Sequence, residues 1–306
     1  MPGLTGKDQV LTDYANKLAV LDAPKGRSLT QDALRRLSKN KAAVVSIGIV
    51  ILIILVAFIG PYFVPWGYSE VDWTSIRKPP DFDKGHYLGT DQNGRDMLAR
   101  VLQGTQMSLI VAAVATVVSV TIGVVYGAVS GYFGGRVDSL MMRFVDVMYA
   151  LPYILFVIIL VVMFGRNPVL LFVGIGAIEW LTMARIVRGQ TLSIKEKEFI
   201  EAARASGAKP FAIIMRHIVP NLSGPVVIYA TLTIPEIIIA ESFLSYLGLG
   251  VQEPQTSLGT LISAGAPVAE VLPWMLLGPA VVLVTLLLCL TYIGDGLRDA
   301  LDPKDR

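Results

Sequence analysis

The sequence predicts an all-α polytopic membrane protein with six transmembrane helices, and three observations predict it: composition, block length and the placing of Lys and Arg. Its 306 residues are 54% hydrophobic and 16% charged, with a mean hydropathy of +0.61. Soluble domains carry roughly 25% charged residues. The apolar residues gather in unbroken blocks instead of recurring at helix or strand period, and a block of about 20 crosses the hydrocarbon layer.

Residues 1–41 read as a cytoplasmic tail. Leu29, Ala33, Leu34 and Leu37 mark one helical face opposite Arg35, Arg36 and Lys39, which predicts a short interfacial helix; a basic flank that only sets topology is the alternative. The stretch before Ser28 reads as partly disordered, although Val10, Leu11, Tyr14 and Leu18 allow a turn or two of helix. The first span, 42–63, is the clearest, with Val44, Ile49, Ile51, Leu52, Ile53 and Ile54 in one run and Pro61 at its far end. It starts late and has no small-residue cleavage pattern, so it reads as a retained signal anchor.

A loop follows at 64–107, rich in Pro, Gly, Asp and aromatic residues, and loops this long are usually functional. Trp66 and Tyr68 suit an interfacial aromatic belt. The core, 108–293, holds five further spans at 109–130, 144–163, 169–186, 226–247 and 272–293. Glu179 and Arg185 interrupt the fourth, and Pro168 fixes its start. Residues 294–306 read as a second cytoplasmic tail. With both ends on one side, twenty Lys and Arg flank that side and six the other, which orients the termini toward the cytoplasm.

The segment from Ser193 to Asn221, within a cytoplasmic loop at 188–221, carries dense helix punctuation. Ser193 and Glu196 have capping-box spacing, Gly207 suits the left-handed residue after a helix end, Pro210 suits a first turn, and Pro220 ends or bends a second helix. The prediction is helix, tight turn, helix at the cytoplasmic face. Ala202, Ala203 and Ala205 make the first helix thin, with Glu201 and Arg204 flanking the thin patch, a shape suited to docking in a groove. A positive-inside loop that happens to be helical is the plainer reading.

Glu201-Ala202-Ala203, then Gly207, then Ile218-Val219-Pro220-Asn221 resemble the EAA loop of ABC importer permeases. The likeness extends over nearly the whole chain. His86-Tyr87-Leu88-Gly89-Thr90-Asp91 with Gly94-Arg95-Asp96, Gly131-Tyr132-Phe133-Gly134-Gly135 with Asp138, Met142 and Arg143, the run Glu241 to Gly250, and the ending Gly294 to Pro303 are similar to the oligopeptide, dipeptide and nickel subfamily. Its nearest likeness there is to C permease subunits of oligopeptide transporters. Glu253-Pro254-Gln255-Thr256-Ser257 stands where many relatives carry a Pro-rich stretch and Trp-Gly.

The resemblance implies a type I ABC importer permease fold in a bacterial inner membrane. It implies a second homologous permease, two cytoplasmic ATPase subunits and a periplasmic peptide-binding protein as partners. Glu201, Ala202, Ala203, Arg204, Gly207 and Ala208 would couple the chain to the ATPases, and peptide would be the cargo. ATP and Mg are expected on the ATPase subunits, because the chain has no Gly-rich loop followed by Lys-Ser or Lys-Thr to cradle phosphate. No cofactor is expected here.

Glu236 and Glu241 in the fifth span are candidates for a substrate path, with Asp146 and Glu179 in or near others, since a charge in a span is costly unless it meets a polar interior or partner. Bonding to backbone or water near a span end is the alternative. His86 and His217 lack Cys or carboxylate neighbours at ligand spacing, so no metal site is expected. Cys289 sits alone in an apolar block, which excludes an intrachain disulfide. The charge balance of +2 does not suit nucleic acid. An ATPase-independent secondary transporter is the rival class, and discontinuous helices in an internal repeat would mark it.

Overall fold

A computed structural model of the protein describes residues 29–164 and 168–301. The turn of helix expected around Val10 to Leu18 lies outside those residues, as do Arg166 and residues 302–306. The described residues are helical apart from loops, with only isolated bridges between extended segments.

The amphipathic stretch forms α1 (Leu29–Lys39) and leads through one residue into α2 (Lys41–Ile59). That residue, Asn40, accepts from the Ala43 amide at 3.2 Å and so supplies a partner for an otherwise unmet helix donor. A 3₁₀ turn at Gly60–Tyr62, with Pro61 at its start, closes the helix.

The second span is a 37-residue helix, α3 (Met97–Phe133), which begins twelve residues before the expected 109. Asp96 caps it by accepting from the Ala99 amide at 2.8 Å, and Gly134 ends it with a φ of +65°. At 1.5 Å per residue it runs about 55 Å, well beyond a hydrocarbon layer of about 30 Å.

The third expected span is not continuous. It comprises α4 (Gly135–Ala150) and α5 (Tyr153–Phe164). Pro152 has no amide hydrogen and disfavours helical backbone at the residue before it, and Leu151 is accordingly extended. Then come α6 (Pro168–Ile194), starting at Pro168 as expected, α7 (Glu198–Ala205) and α8 (Pro210–Ile213). A π-helical turn (Ile214–Ile218) and a short α9 (Val219–Asn221) carry α8 into α10 (Ser223–Tyr246). An unforeseen short helix, α11 (Leu258–Gly265), precedes α12 (Pro273–Leu301), which absorbs most of the expected C-terminal tail.

Among the described residues four helical segments are long and apolar enough to cross a membrane: Lys41–Tyr62, Met97–Phe133, Ser223–Tyr246 and Pro273–Leu301. The sixfold count therefore does not appear as six unbroken apolar helices. The third crossing is divided, whereas α6, at 27 residues, has the length of a span and carries Glu179, Arg185 and Arg188 within it.

The most extensive helix pair is α3 with α6. Gly123, Gly127 and Gly131, four residues apart, make it possible, because four-residue spacing places them on one face. A Cβ on Gly123 would stand 2.6 Å from Met183 Cβ, and one on Gly131 2.7 Å from Thr191 Cβ. Lipid offers no hydrophobic drive for helices to associate, so close backbone approach through small residues does that work. Val111, Ala115, Ile175, Ile237, Leu244 and Leu286 join α3, α6, α10 and α12 in a central cluster. Facing away from it are exposed apolar side chains such as Leu52 and Val281, the pattern of a surface meant for lipid or partner helices.

Candidate functional site

At the face opposite the long loop, α7 and the segment after it hang from buried aliphatic side chains. Ile200, Ile213, Ile214, Ile218 and Leu222 pack with Val124 and Ala128 of α3 and Val187 of α6. Glu198 and Glu201 in the first turn and Arg204 in the last complement the helix dipole. The expected cap at Ser193 does not form. α6 runs through it to Ile194, because Ile194 continues the apolar face that packs on this cluster, and α7 starts after Lys197 without a side-chain cap.

Gly207 does what its position predicts. Its φ is +78°, its amide bonds the Arg204 carbonyl at 3.0 Å, and the Ala208 amide bonds that of Ala203 at 3.1 Å, closing the helix in a Schellman pattern. Glu201, Ala202, Ala205 and Gly207 face outward, whereas Ala203 and Ala208 are half-buried against the cluster. The thin outward patch is thus Ala202 and Ala205, narrower than the three-alanine face expected. Arg204 lies over the Tyr132 ring, 5.2 Å from its centroid. Glu201 makes no side-chain hydrogen bond or ion pair among the described residues.

A latch beside this loop escaped the sequence reading. Arg188 grips Asp138 through two bonds of 2.5 and 2.6 Å, and Ser130 donates to the same carboxylate. It ties the turn between α3 and α4 to α6. Asp138 stood in a recognisable motif, but nothing local paired it with a residue fifty positions on.

The path candidates separate. Glu236 is exposed on α10. Glu241 is fully buried and faces no open space: Ser245 donates to it at 2.6 Å and Ser108 of α3 at 3.1 Å. Ser108 also accepts from the Leu258 amide at 3.2 Å, at the start of α11. Glu241 therefore knots three helices together. Asp146 pairs with Arg185 at 2.6 Å, and Glu179 is half-buried in α6.

The long loop is a folded unit. Buried His86 lies between Asp96, 3.0 Å from Nδ1, and Asp72, 3.4 Å from Nε2. Trp66 stacks on His86 at 4.7 Å and donates to the Lys84 carbonyl at 2.9 Å, so it belongs to the loop fold and not to a belt. Hydrogen bonds led by Thr74 hold the Asp72 carboxyl well below the usual carboxylate range. Gly94, at a φ of +80°, lies so near the Asp72 carbonyl that a Cβ there would come within 2.5 Å of it. Asp91 accepts from Arg95 Nε at 2.8 Å and Arg100 at 3.0 Å, and Glu253, from the loop before α11, accepts from Arg95 at 2.7 Å. Burial opposes the Arg95 charge, yet these two carboxylates outweigh it and raise its pKa. The Arg95 hydrogen bond likewise holds Glu253 below its ordinary value. Among the described residues no group of three His, Cys, Asp or Glu is arranged to hold a metal.

Comparison with known proteins adds to this geometry. Residues 119–306 match the family described as binding-protein-dependent transport system inner membrane component, and residues 28–80 match the N-terminal TM domain of oligopeptide transport permease C. The chain is 52% identical over 298 residues to the Escherichia coli K12 oligopeptide transport system permease protein OppC, covering 97% of each. It is 52% identical over 281 residues to the Haemophilus influenzae OppC, covering 92% of this chain and 90% of that one. The Bacillus subtilis dipeptide transport system permease protein DppC is 44% identical over 280 residues, covering 91% and 87%. Among solved structures, an inward-facing MetNI methionine ABC transporter superposes with a TM-score of 0.55 at 21% identity, over 67% of this chain and 98% of that one.

Proposed function

Because this chain belongs to the family of binding-protein-dependent transport system inner membrane components, we propose that it is the permease subunit of an ATP-driven oligopeptide importer. It is an integral membrane protein with the all-α fold of an ABC importer permease. Identity of 52% over nine-tenths of the chain to the Escherichia coli and Haemophilus influenzae oligopeptide permeases favours the longer cargo, although the two Bacillus subtilis permeases, oligopeptide at 42% and dipeptide at 44%, do not separate the two cargoes. In this reading the chain lies in a bacterial inner membrane with both ends cytoplasmic and lines a path with a second permease. Two ATPase subunits bind its α7 loop, and a periplasmic binding protein delivers peptide. ATP and Mg belong to the ATPases; this chain contributes motion, not chemistry.

The observation that carries the proposal is the build of α7. Ile200 and Ala203 join α7 to the aliphatic cluster that the segment after it makes with α3 and α6, while Glu201, Ala202, Ala205 and Gly207 are left clear on the outer side. A push on such a helix is passed into the spans instead of being absorbed by the loop. Closure of the ATPases on nucleotide would tilt α3 and α6 and open the path outward; hydrolysis would reset it. Ala202→Trp blocks close approach, and Gly207→Val strains a residue at positive φ. Neither alters a span. Substrate-stimulated ATP hydrolysis and peptide uptake by the reconstituted complex should fall together, with the amount of chain in the membrane unchanged. Normal transport by both variants would reduce α7 to a topogenic helix. If either chain is degraded, Glu201→Gln is the milder probe and should show the same paired loss.

A further inference from the structure

On the long-loop face two arginines share one recess. Arg95 and Arg100 are 8% and 5% exposed. Arg95 bonds Asp91 and Glu253; Arg100 bonds Asp91, stands 3.9 Å from Glu253, and leaves its Nε without a partner. Asp91 is committed further by the amides of Asn93 and Arg95 at 2.8 and 2.9 Å. Two buried guanidiniums thus face one buried carboxylate and one from Glu253, whose side chain is 64% exposed. Without Glu253 the recess would hold an unmatched buried positive charge, which is costly. An ion pair to so exposed a partner is cheap to exchange.

Beside these groups is a cavity of about 130 Å³, walled on its other side by Leu261, Ala264 and Met275. About 10–15 Å³ of such space holds one water, so the recess admits several waters or one small group. A carboxylate with one small apolar group attached fits; the flat surface of a folded protein does not reach in. The fork geometry of arginine suits a carboxylate, and an apolar wall beside it suits a carbon-bearing end more than an inorganic anion.

We propose that this recess receives the C-terminal carboxylate of the peptide cargo, with Glu253 as the resident carboxylate that the peptide end displaces. The proposal rests on the peptide-importer reading above. A terminal carboxylate is common to unmodified peptides whatever their sequence, so the site would act on many cargoes alike.

The test is uptake of trialanine and of trialanine amide by the complete transporter in lipid vesicles. The same binding protein serves the native chain, Glu253→Gln and Arg95→Gln, so its own preference cancels between permeases. Glu253→Gln removes the competitor and should lower the half-saturating concentration of trialanine on the order of tenfold, leaving the amide unchanged. Arg95→Gln should raise the trialanine value by a similar factor, again sparing the amide. Equal shifts for both peptides would assign the recess to holding the loop or docking the binding protein and would overturn the proposal. Unchanged values in both variants would do so too. Should Arg95→Gln fail to reach the membrane, Glu253→Gln, a change at an exposed side chain, decides alone. A native complex that imports neither peptide sinks the importer reading itself; one that imports both without any variant effect sinks only the recess.

Discussion

On the long-loop face His86 joins Asp72 to Asp96 and Arg95 pairs with Asp91, while on the opposite face α7 and its continuation hang on aliphatic side chains and turn their charges outward. The first arrangement satisfies polar groups internally and fixes the loop's shape. The second leaves Glu201 unengaged among the described residues and gives the loop a rigid seat with a bare surface. A protein face that closes its polar groups on themselves presents shape and a few recesses; one that anchors by burial keeps its charges for a partner.

Three changes would break or sharpen that contrast. Asp91→Asn removes the negative charge shared by two buried guanidiniums and puts an NH2 donor in place of one acceptor oxygen, and stranding buried charge costs about 3–5 kcal/mol. Thermal unfolding in detergent should register that loss, with hydrogen exchange of residues 198–221 unaltered. A variant as stable as the native chain would mean that the polar network does not hold the long loop. Next, Ile200→Ala opens a cavity at a fully buried position, a change worth about 2–5 kcal/mol. Exchange should quicken across 198–221 and stay as it was across 64–107; quickening at both ends would show the faces to be one cooperative unit.

The smallest effect is that of acid. Arg95 holds the folded Glu253 below the unfolded glutamate value of about 4.3. This ion pair therefore adds stability above that value and loses it as pH falls through the folded one. From pH 7 to 5 the contribution of this pair should not change. Below about pH 4 exchange should rise on the long-loop face first, and Glu253→Gln should remove that acid-dependent part. Persistence of the acid response in the variant would place its origin elsewhere in the loop.

Much of this was legible from residue order. The apolar blocks located α2, α10 and α12, and Gly207 and Pro210 announced the turn between α7 and α8, because those residues act through their own backbone. Pro152 equally announces the break between α4 and α5, although block hydropathy passes over it. The early start of α3 is hidden from hydropathy by Arg100 and Gln103, yet Asp96 before Met97 is a legible cap. α11 is only eight residues long, and its capping box uses Thr260 where the usual partner is Glu or Gln. The Gly123, Gly127, Gly131 spacing was readable as a close-approach face; its partner helix was not. The least legible features are the recess and the Glu241 knot. Arg95 meets a residue 158 positions away and Ser108 one 133 away, and no local spacing encodes such meetings.

The length of α3 has a mechanical consequence. Its first turn carries Arg100 of the recess, and its last turns carry Tyr132 beneath Arg204. A rod of about 55 Å pivoting by ten degrees about its middle carries each end roughly 5 Å, in opposite directions. The close fit of α6 along Gly123, Gly127 and Gly131 braces that half of the rod against bending. In the importer reading proposed above, one α-helix would serve as a lever whose short strokes at the α7 end are returned, at equal amplitude and reversed sense, at the long-loop end.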